Sequence, residues 1–325
     1  MNEILSLTGA NLISPIILSF ALGLVAALAR SELTIPEAVA KGMSIYLLFA
    51  IGFKGGVAVS AHGIDTTLVL SLVAGVVLSF GLPMLAFGML RLMTGLSNID
   101  AAAVAAHYGS ISIVTFVATT SVLKGQMIDS EGYMVAVAAV MEAPAILSAL
   151  WLVARSGSKA KMEPDLMREL MLNGSIVLLV GSFFIGALTG EKGLAEISPF
   201  IVAPFKGVLC LFLLDMGLIA GRGLRQSKKV LSVGAVAFAI AMPLVSSFIG
   251  LLVGMLIGLS LGGIVLLMVL CASASYIAVP AAMRVALPEA NPAIYLTLSL
   301  GVTFPFNLAL GIPLYLAIAQ TVTGA

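Results

Sequence analysis

Most charged residues in this chain lie in short clusters, and the apolar stretches between the clusters are long enough to cross a lipid bilayer. Only 10% of the residues are charged, whereas a soluble globular protein carries about 25%. A membrane-crossing helix needs about 20 apolar residues. The pattern predicts an all-α integral membrane protein with ten transmembrane helices, placed at roughly 12–29, 35–54, 66–90, 100–123, 132–154, 174–189, 199–220, 230–258, 262–286 and 292–320.

The positively charged residues are distributed unequally between the two sides of these spans. If the N-terminus is outside, 12 of the 16 Lys and Arg residues lie on inward loops and flanks, and the four outward ones are Lys54, Lys124, Lys192 and Lys206. Lys and Arg are typically in excess on the cytoplasmic side. We therefore expect a multi-pass membrane protein with both termini outside and the central loop in the cytoplasm. The net charge of +1 and the lack of a basic block give no indication of nucleic-acid binding.

The sequence reads as two related halves. Leu96-Ser97, leading to Gly109-Ser110-Ile111-Ser112, is repeated by Leu259-Ser260, leading to Ala272-Ser273-Ala274-Ser275. Further positions align in the same order, because Gly52 and Gly56 fall on Gly217 and Gly221, Pro83 falls on Pro243, and Pro144 falls on Pro305. The predicted division is a first five-helix repeat at 1–155, a cytoplasmic linker at 156–173 and a second repeat at 174–325. An odd number of spans inverts the second copy relative to the first.

Both Ser-x-Ser motifs fall inside apolar spans, the fourth and the ninth. Paired broken helices in corresponding positions of two halves indicate the binding site of a transporter, because freed backbone groups are tolerated in a membrane only within protein or beside a water-filled cavity. A half-helix that begins there carries about half a positive charge at its N-terminus. We therefore predict a substrate site for a small anion where the two breaks meet, formed by Gly109, Ser110, Ser112, Ser273 and Ser275. The alternative is that these small residues only permit close helix packing.

Ionisable residues inside the spans are few, and each is a candidate for function. Glu142 lies in the middle of the fifth span, and with Thr115 it is a weaker candidate for binding a cation; sodium would suit such a site, although its ligands are not assigned. Asp215 is expected to pair with a basic side chain near the end of its own helix. His107, directly before the first break, is expected to be neutral and hydrogen-bonded. No cofactor is expected apart from sodium as a coupling ion, and no catalytic motif points to an enzyme.

The second half also carries motifs of a known family. Ala272-Ser273-Ala274-Ser275, the segment from Pro280 to Pro288, Ala290-Asn291-Pro292 and Gly311-Ile312-Pro313-Leu314-Tyr315 resemble the sodium-dependent bicarbonate transporter (SbtA-like) superfamily, as do Leu33-Thr34-Ile35-Pro36 and Glu142-Ala143-Pro144 in the first half. The resemblance covers essentially the whole chain. It implies a homotrimeric carrier of the plasma (bacterial inner) membrane in which a core domain moves like an elevator. Bicarbonate and sodium would be bound where the fourth and ninth spans cross.

Two positions depart from the cyanobacterial members of that superfamily. Tyr276 follows Ser275 where those members carry an aspartate, and Ser112-Ile113-Val114 replaces their Ser-Gly-Ser. Cyanobacterial members are closed by a small PII-like protein on the cytoplasmic face, so the resemblance implies a regulator of that kind. Three other functions stay open for the same sequence: a carrier of another small anion such as a carboxylate, a cation/proton antiporter, and a receptor that binds its ligand without transporting it.

Overall fold

The computed structural model describes residues 13–63, 65–142, 144–155, 174–226, 232–276, 279–280, 283 and 286–324. This part of the chain is entirely helical and contains no strand. Seven of its helical segments are long and apolar enough to cross a membrane, and three shorter helices of 12–14 residues are also apolar. The prediction of an all-α integral membrane protein is therefore confirmed, while the count of ten spans stays a prediction. The predicted linker at 156–173 lies outside the described residues.

Twelve helices follow one another along the described chain. The first seven are α1 (Pro15–Leu28), α2 (Glu37–His62), α3 (Thr66–Met93), α4 (Asn98–His107), α5 (Ile113–Gly125), α6 (Met134–Val140) and α7 (Pro144–Arg155). The next five are α8 (Gly174–Ile201), α9 (Phe205–Gln226), α10 (Val233–Leu256), α11 (Leu261–Ala272) and α12 (Pro292–Thr323). In α8 the helical backbone is interrupted at Gly190, whose φ of 59° favours glycine.

The predicted fourth, fifth and ninth spans are not continuous helices. The fourth is interrupted between α4 and α5 at residues 108–112, and α11 ends at Ala272. The fifth is interrupted between Val140 and Pro144, a break that we had not predicted, so that Glu142 lies between two short helices rather than within one. The helix α12 contains two π-helical stretches, Thr297–Thr303 and Asn307–Gly311.

The centre of the molecule is formed by α4 and α11. Residues 101–107 of α4 and 262–272 of α11 are all buried, as expected for helices that are apolar on every side. Serine caps the N-terminus of each: Ser97 Oγ accepts from the amide of Asp100 at 3.0 Å, and Ser260 Oγ accepts from that of Gly263 at 3.1 Å. The repeated Leu-Ser motif therefore marks the start of each central helix, because serine is a preferred N-cap residue.

Glycines allow two pairs of outer helices to approach closely. α2 packs along α8, and α1 packs along α9. A Cβ atom at Gly56 would overlap the carbonyl oxygen of Phe183 on α8, and one at Gly217 would overlap that of Phe20 on α1. Small residues four positions apart are the usual means of close packing between membrane helices. The two Gly-x-x-x-Gly motifs that align in the sequence thus have the same packing role.

Candidate functional site

The two interrupted helices meet directly at their breaks. The amide of Ser112 donates to Ser273 Oγ at 2.9 Å, and the amide of Ser275 donates to the carbonyl oxygen of His107 at 2.7 Å. Ser112 Oγ donates to the hydroxyl of Tyr276 at 3.1 Å. We refer to the contact region of residues 107–112 and 273–276 as the crossing. All five predicted substrate residues lie in the two breaks. Three of them, Ser112, Ser273 and Ser275, form hydrogen bonds from one break to the other.

Ser112 organises the N-terminus of α5. Its Oγ accepts from the amide and the hydroxyl of Thr115, at 3.2 and 2.9 Å, while its carbonyl oxygen accepts from the amide of Phe116. The amides of Ile113 and Val114 belong to the first turn and have no acceptor within the helix. The N-terminus of α5 therefore presents two amides and the positive end of a helix dipole at the crossing, which suits an anion. The corresponding half-helix after Tyr276 falls partly outside the described residues.

Ser110 and Gly109 have different surroundings from Ser112. Ser110 Oγ donates to Glu142 Oε2 at 3.0 Å, and both side chains are buried. This bond connects the break before α5 with the break between α6 and α7. At Gly109 a Cβ atom would overlap the ring of Pro83 on α3, so the missing side chain serves close packing there. The two cation candidates are separated into different hydrogen-bonded pairs, Thr115 with Ser112 and Glu142 with Ser110.

Three polar side chains of α12 that we had not predicted, those of Asn307, Tyr315 and Thr303, hold the crossing in place. The side-chain Nδ2 of Asn307 donates to the carbonyl oxygen of Ala272 at 2.8 Å. Its Oδ1 accepts from the hydroxyl of Tyr315, also at 2.8 Å. Thr303 Oγ1 donates to Ala239 O at 2.6 Å, so the hydroxyl of Tyr108 is the donor in its 2.7 Å contact with Thr303. The carbonyl at the end of α11 thus has a partner from the second π-helical stretch of α12.

His107 is buried beside the crossing. Its Nδ1 lies 2.6 Å from the carbonyl oxygen of Ala103, which can only accept, so Nδ1 carries a proton. Its ring stacks on that of Tyr295 with centroids 4.6 Å apart. Among the described residues no hydrogen-bond partner is found for Nε2. This geometry is that of a neutral histidine that orders the end of α4. Asp215, on α9, lies in the field of Arg222 on the same helix.

The fold and the crossing define a multi-pass helical membrane protein with a polar, buried contact between interrupted helices, which is an arrangement typical of secondary transporters. The family sequence model of the Na+-dependent bicarbonate transporter superfamily matches residues 15–320 of this chain. The chain belongs to this superfamily, and the resemblance noted in the sequence is confirmed. A comparison with curated proteins gave no match.

Proposed function

We propose that the chain is a secondary transporter that takes up bicarbonate together with sodium, with the anion bound at the crossing. The observation that carries this proposal is the direct hydrogen bonding of the two breaks through Ser112, Ser273 and Ser275. Membership of a bicarbonate transporter superfamily supports the choice of cargo. A transporter rather than an enzyme is the function that fits both observations.

An anion at the crossing would be bound by neutral donors. The amides of Ile113 and Val114 and the hydroxyl of Ser112 are the donors nearest to the N-terminus of α5. To reach them, bicarbonate would replace the bond from Ser112 to Tyr276, so the serine hydroxyl would donate to an anion oxygen instead of to the phenol. Hydrogen bonds to a charged acceptor are about twice as strong as neutral ones. This difference favours exchange of the phenol for the anion.

Sodium would be bound by oxygen atoms near the same place. Hard cations prefer carboxylate, carbonyl and hydroxyl oxygens, and the carboxylate of Glu142 accepts a bond from Ser110 within the first break. We propose Glu142 as a sodium ligand and Thr115 as a second candidate. A sodium ion beside the bound anion would also offset its charge, so that binding of one favours binding of the other.

Movement of the cargo would follow from how the helices are grouped. α1 packs along α9 and α8 packs along α2, both through glycines, and this is the pairing that the predicted inverted repeat implies. We propose that these four helices form a fixed scaffold of the trimer, and that the crossing moves relative to it as an elevator. The PII-like cytoplasmic regulator stays an expectation from the family resemblance, as does the location in the plasma membrane.

The first test is uptake of labelled bicarbonate into proteoliposomes that contain the purified chain, with and without an inward sodium gradient. Uptake that requires the gradient would support the proposal, and empty liposomes provide the control. If bicarbonate does not enter under either condition, the proposed cargo is wrong. If it enters equally without sodium, the coupling is wrong and the cargo is right.

A second candidate is a carrier of another small anion on the same scaffold. Tyr276 favours it, because a phenol rather than a carboxylate contacts Ser112 at the second break. Competition with unlabelled acetate, formate and nitrate separates the two candidates. A competitor that inhibits uptake more strongly than bicarbonate does would identify the class of the preferred cargo.

A further inference from the structure

A cavity of about 450 Å³ lies beside α5 and is separate from the crossing. It is lined by residues of α2, α5, α6, α9 and α11 and by the segments that precede α6 and α9. Its lining includes Phe116 and Val117, which are about one helical turn beyond Ser112 along α5. The volume is within the range of about 300–1,000 Å³ that small-molecule sites occupy.

The cavity combines an apolar wall with three ammonium groups. Its walls include Phe116, Val135 and Leu266, and its lysines are Lys54, Lys124 and Lys206. Lys54 is half-buried, and its Nζ lies 4.1 Å from the centre of the Phe205 ring. The other two lysines are exposed at the rim.

The lining of the cavity keeps a net positive charge, because its three lysines outnumber its acidic residue. Glu131 is the acidic residue of its lining, and both of its carboxylate oxygens are occupied by Ser260, which donates its amide at 2.6 Å and its hydroxyl at 2.9 Å. Within the described ranges, the three lysines form no ion pair. Lys54 and Lys124 also repel each other. An anion among them would relieve this repulsion, because like charges near an apolar wall are poorly screened.

We propose that this cavity binds a short amphipathic monocarboxylate. Its carboxylate lies among the three ammonium groups, and its hydrocarbon chain packs against Phe116 and Val135. A single negative charge with an apolar tail fits a site whose charge is at the rim and whose interior is apolar. The site is independent of the anion site at the crossing. In the predicted orientation, the ligand enters from outside the cell.

The test is calorimetric titration of hexanoate into the full chain in lipid nanodiscs. We expect saturable binding that weakens about tenfold in Lys54→Gln and in the double variant Lys124→Gln/Lys206→Gln, because each loses charge-assisted contacts. Lys192→Gln is the matched control, since this lysine is exposed on α8 and does not line the cavity. Hexanol, which has the same chain without the charge, should bind at least about tenfold more weakly.

The proposal is overturned if the double variant of the two exposed lysines binds hexanoate as the wild type does, or if hexanol binds equally well. It is also overturned if Ser273→Ala abolishes hexanoate binding, since the ligand would then occupy the crossing. Retained binding in Ser273→Ala supports a separate site. Failure of bicarbonate uptake would leave this result unaffected, because the titration does not depend on transport.

Discussion

Replacement of Ser273 by alanine tests the crossing most directly. Ser273 Oγ accepts from the amide of Ser112 and donates to the carbonyl oxygen of Leu270 at 2.9 Å. The alanine variant loses both bonds and leaves the buried Ser112 amide without this acceptor, at a cost of about 1–3 kcal/mol. Because Ser112 begins α5, the amides proposed to bind the anion lose their fixed position. We expect the KM for bicarbonate to rise by about 5-fold to 150-fold, the equivalent of that energy.

Ser148→Ala is the matched control for this variant. Ser148 is also fully buried, on α7, but its hydroxyl has no hydrogen-bond partner among the described residues. Its replacement removes an unsatisfied polar group and should leave both uptake and thermal stability unchanged or slightly improved. The measurement is sodium-driven uptake over a range of bicarbonate concentrations, together with the melting temperature of each variant. The same KM in Ser273→Ala as in Ser148→Ala would refute the role of the crossing.

Three further predictions concern packing, the end of α11 and the coupling ion. Gly56→Ala should lower the free energy of unfolding by about 1–3 kcal/mol, because the added Cβ overlaps the backbone of α8. Gly81→Ala is the control, since the space around Gly81 is open. Equal melting temperatures of the two variants would contradict this prediction. Asn307→Ala should lower the free energy of unfolding by about 1–3 kcal/mol, because the buried Ala272 carbonyl loses its donor. Asn307→Asp cannot donate when ionised, so thermal denaturation should show that it is also less stable than the wild type. Glu142→Gln should raise the sodium concentration for half-maximal uptake about tenfold; an unchanged sodium dependence would exclude Glu142 as a ligand.

The sequence predicted the elements that depend on local pattern. The apolar spans, the Leu-Ser motifs at 96–97 and 259–260 and the Ser-x-Ser breaks are all visible along the chain, and the structure brings Ser112 next to Ser273. The break that follows Val140 was missed, although Pro144 is a signal for it, because a proline cannot donate an amide within a helix. The interruption at Gly190 agrees with the predicted end of the sixth span at 189.

The partners that come from distant parts of the chain could not be read from local pattern. Asn307, Tyr315 and Thr303 lie in an apolar span whose helical period gives no sign of the π-helical stretches. Their importance arises only from what they contact, namely the carbonyl of Ala272 and the hydroxyl of Tyr108. Such pairings depend on tertiary packing. A buried Asn or Thr within an apolar span is the one signal that could have indicated them.

The hydrogen bonds of the crossing have a consequence for how the protein is made. The amide of Ser112 and the hydroxyl of Ser273 are 161 positions apart in the chain. A ribosome that adds about 5–20 residues per second therefore needs on the order of ten seconds or more to supply the second partner after the first. Throughout that interval the nascent first half carries an unmatched polar break. The Ser112 amide can gain its acceptor only when the second half has been made, so this part of the site forms after the first half has been synthesised.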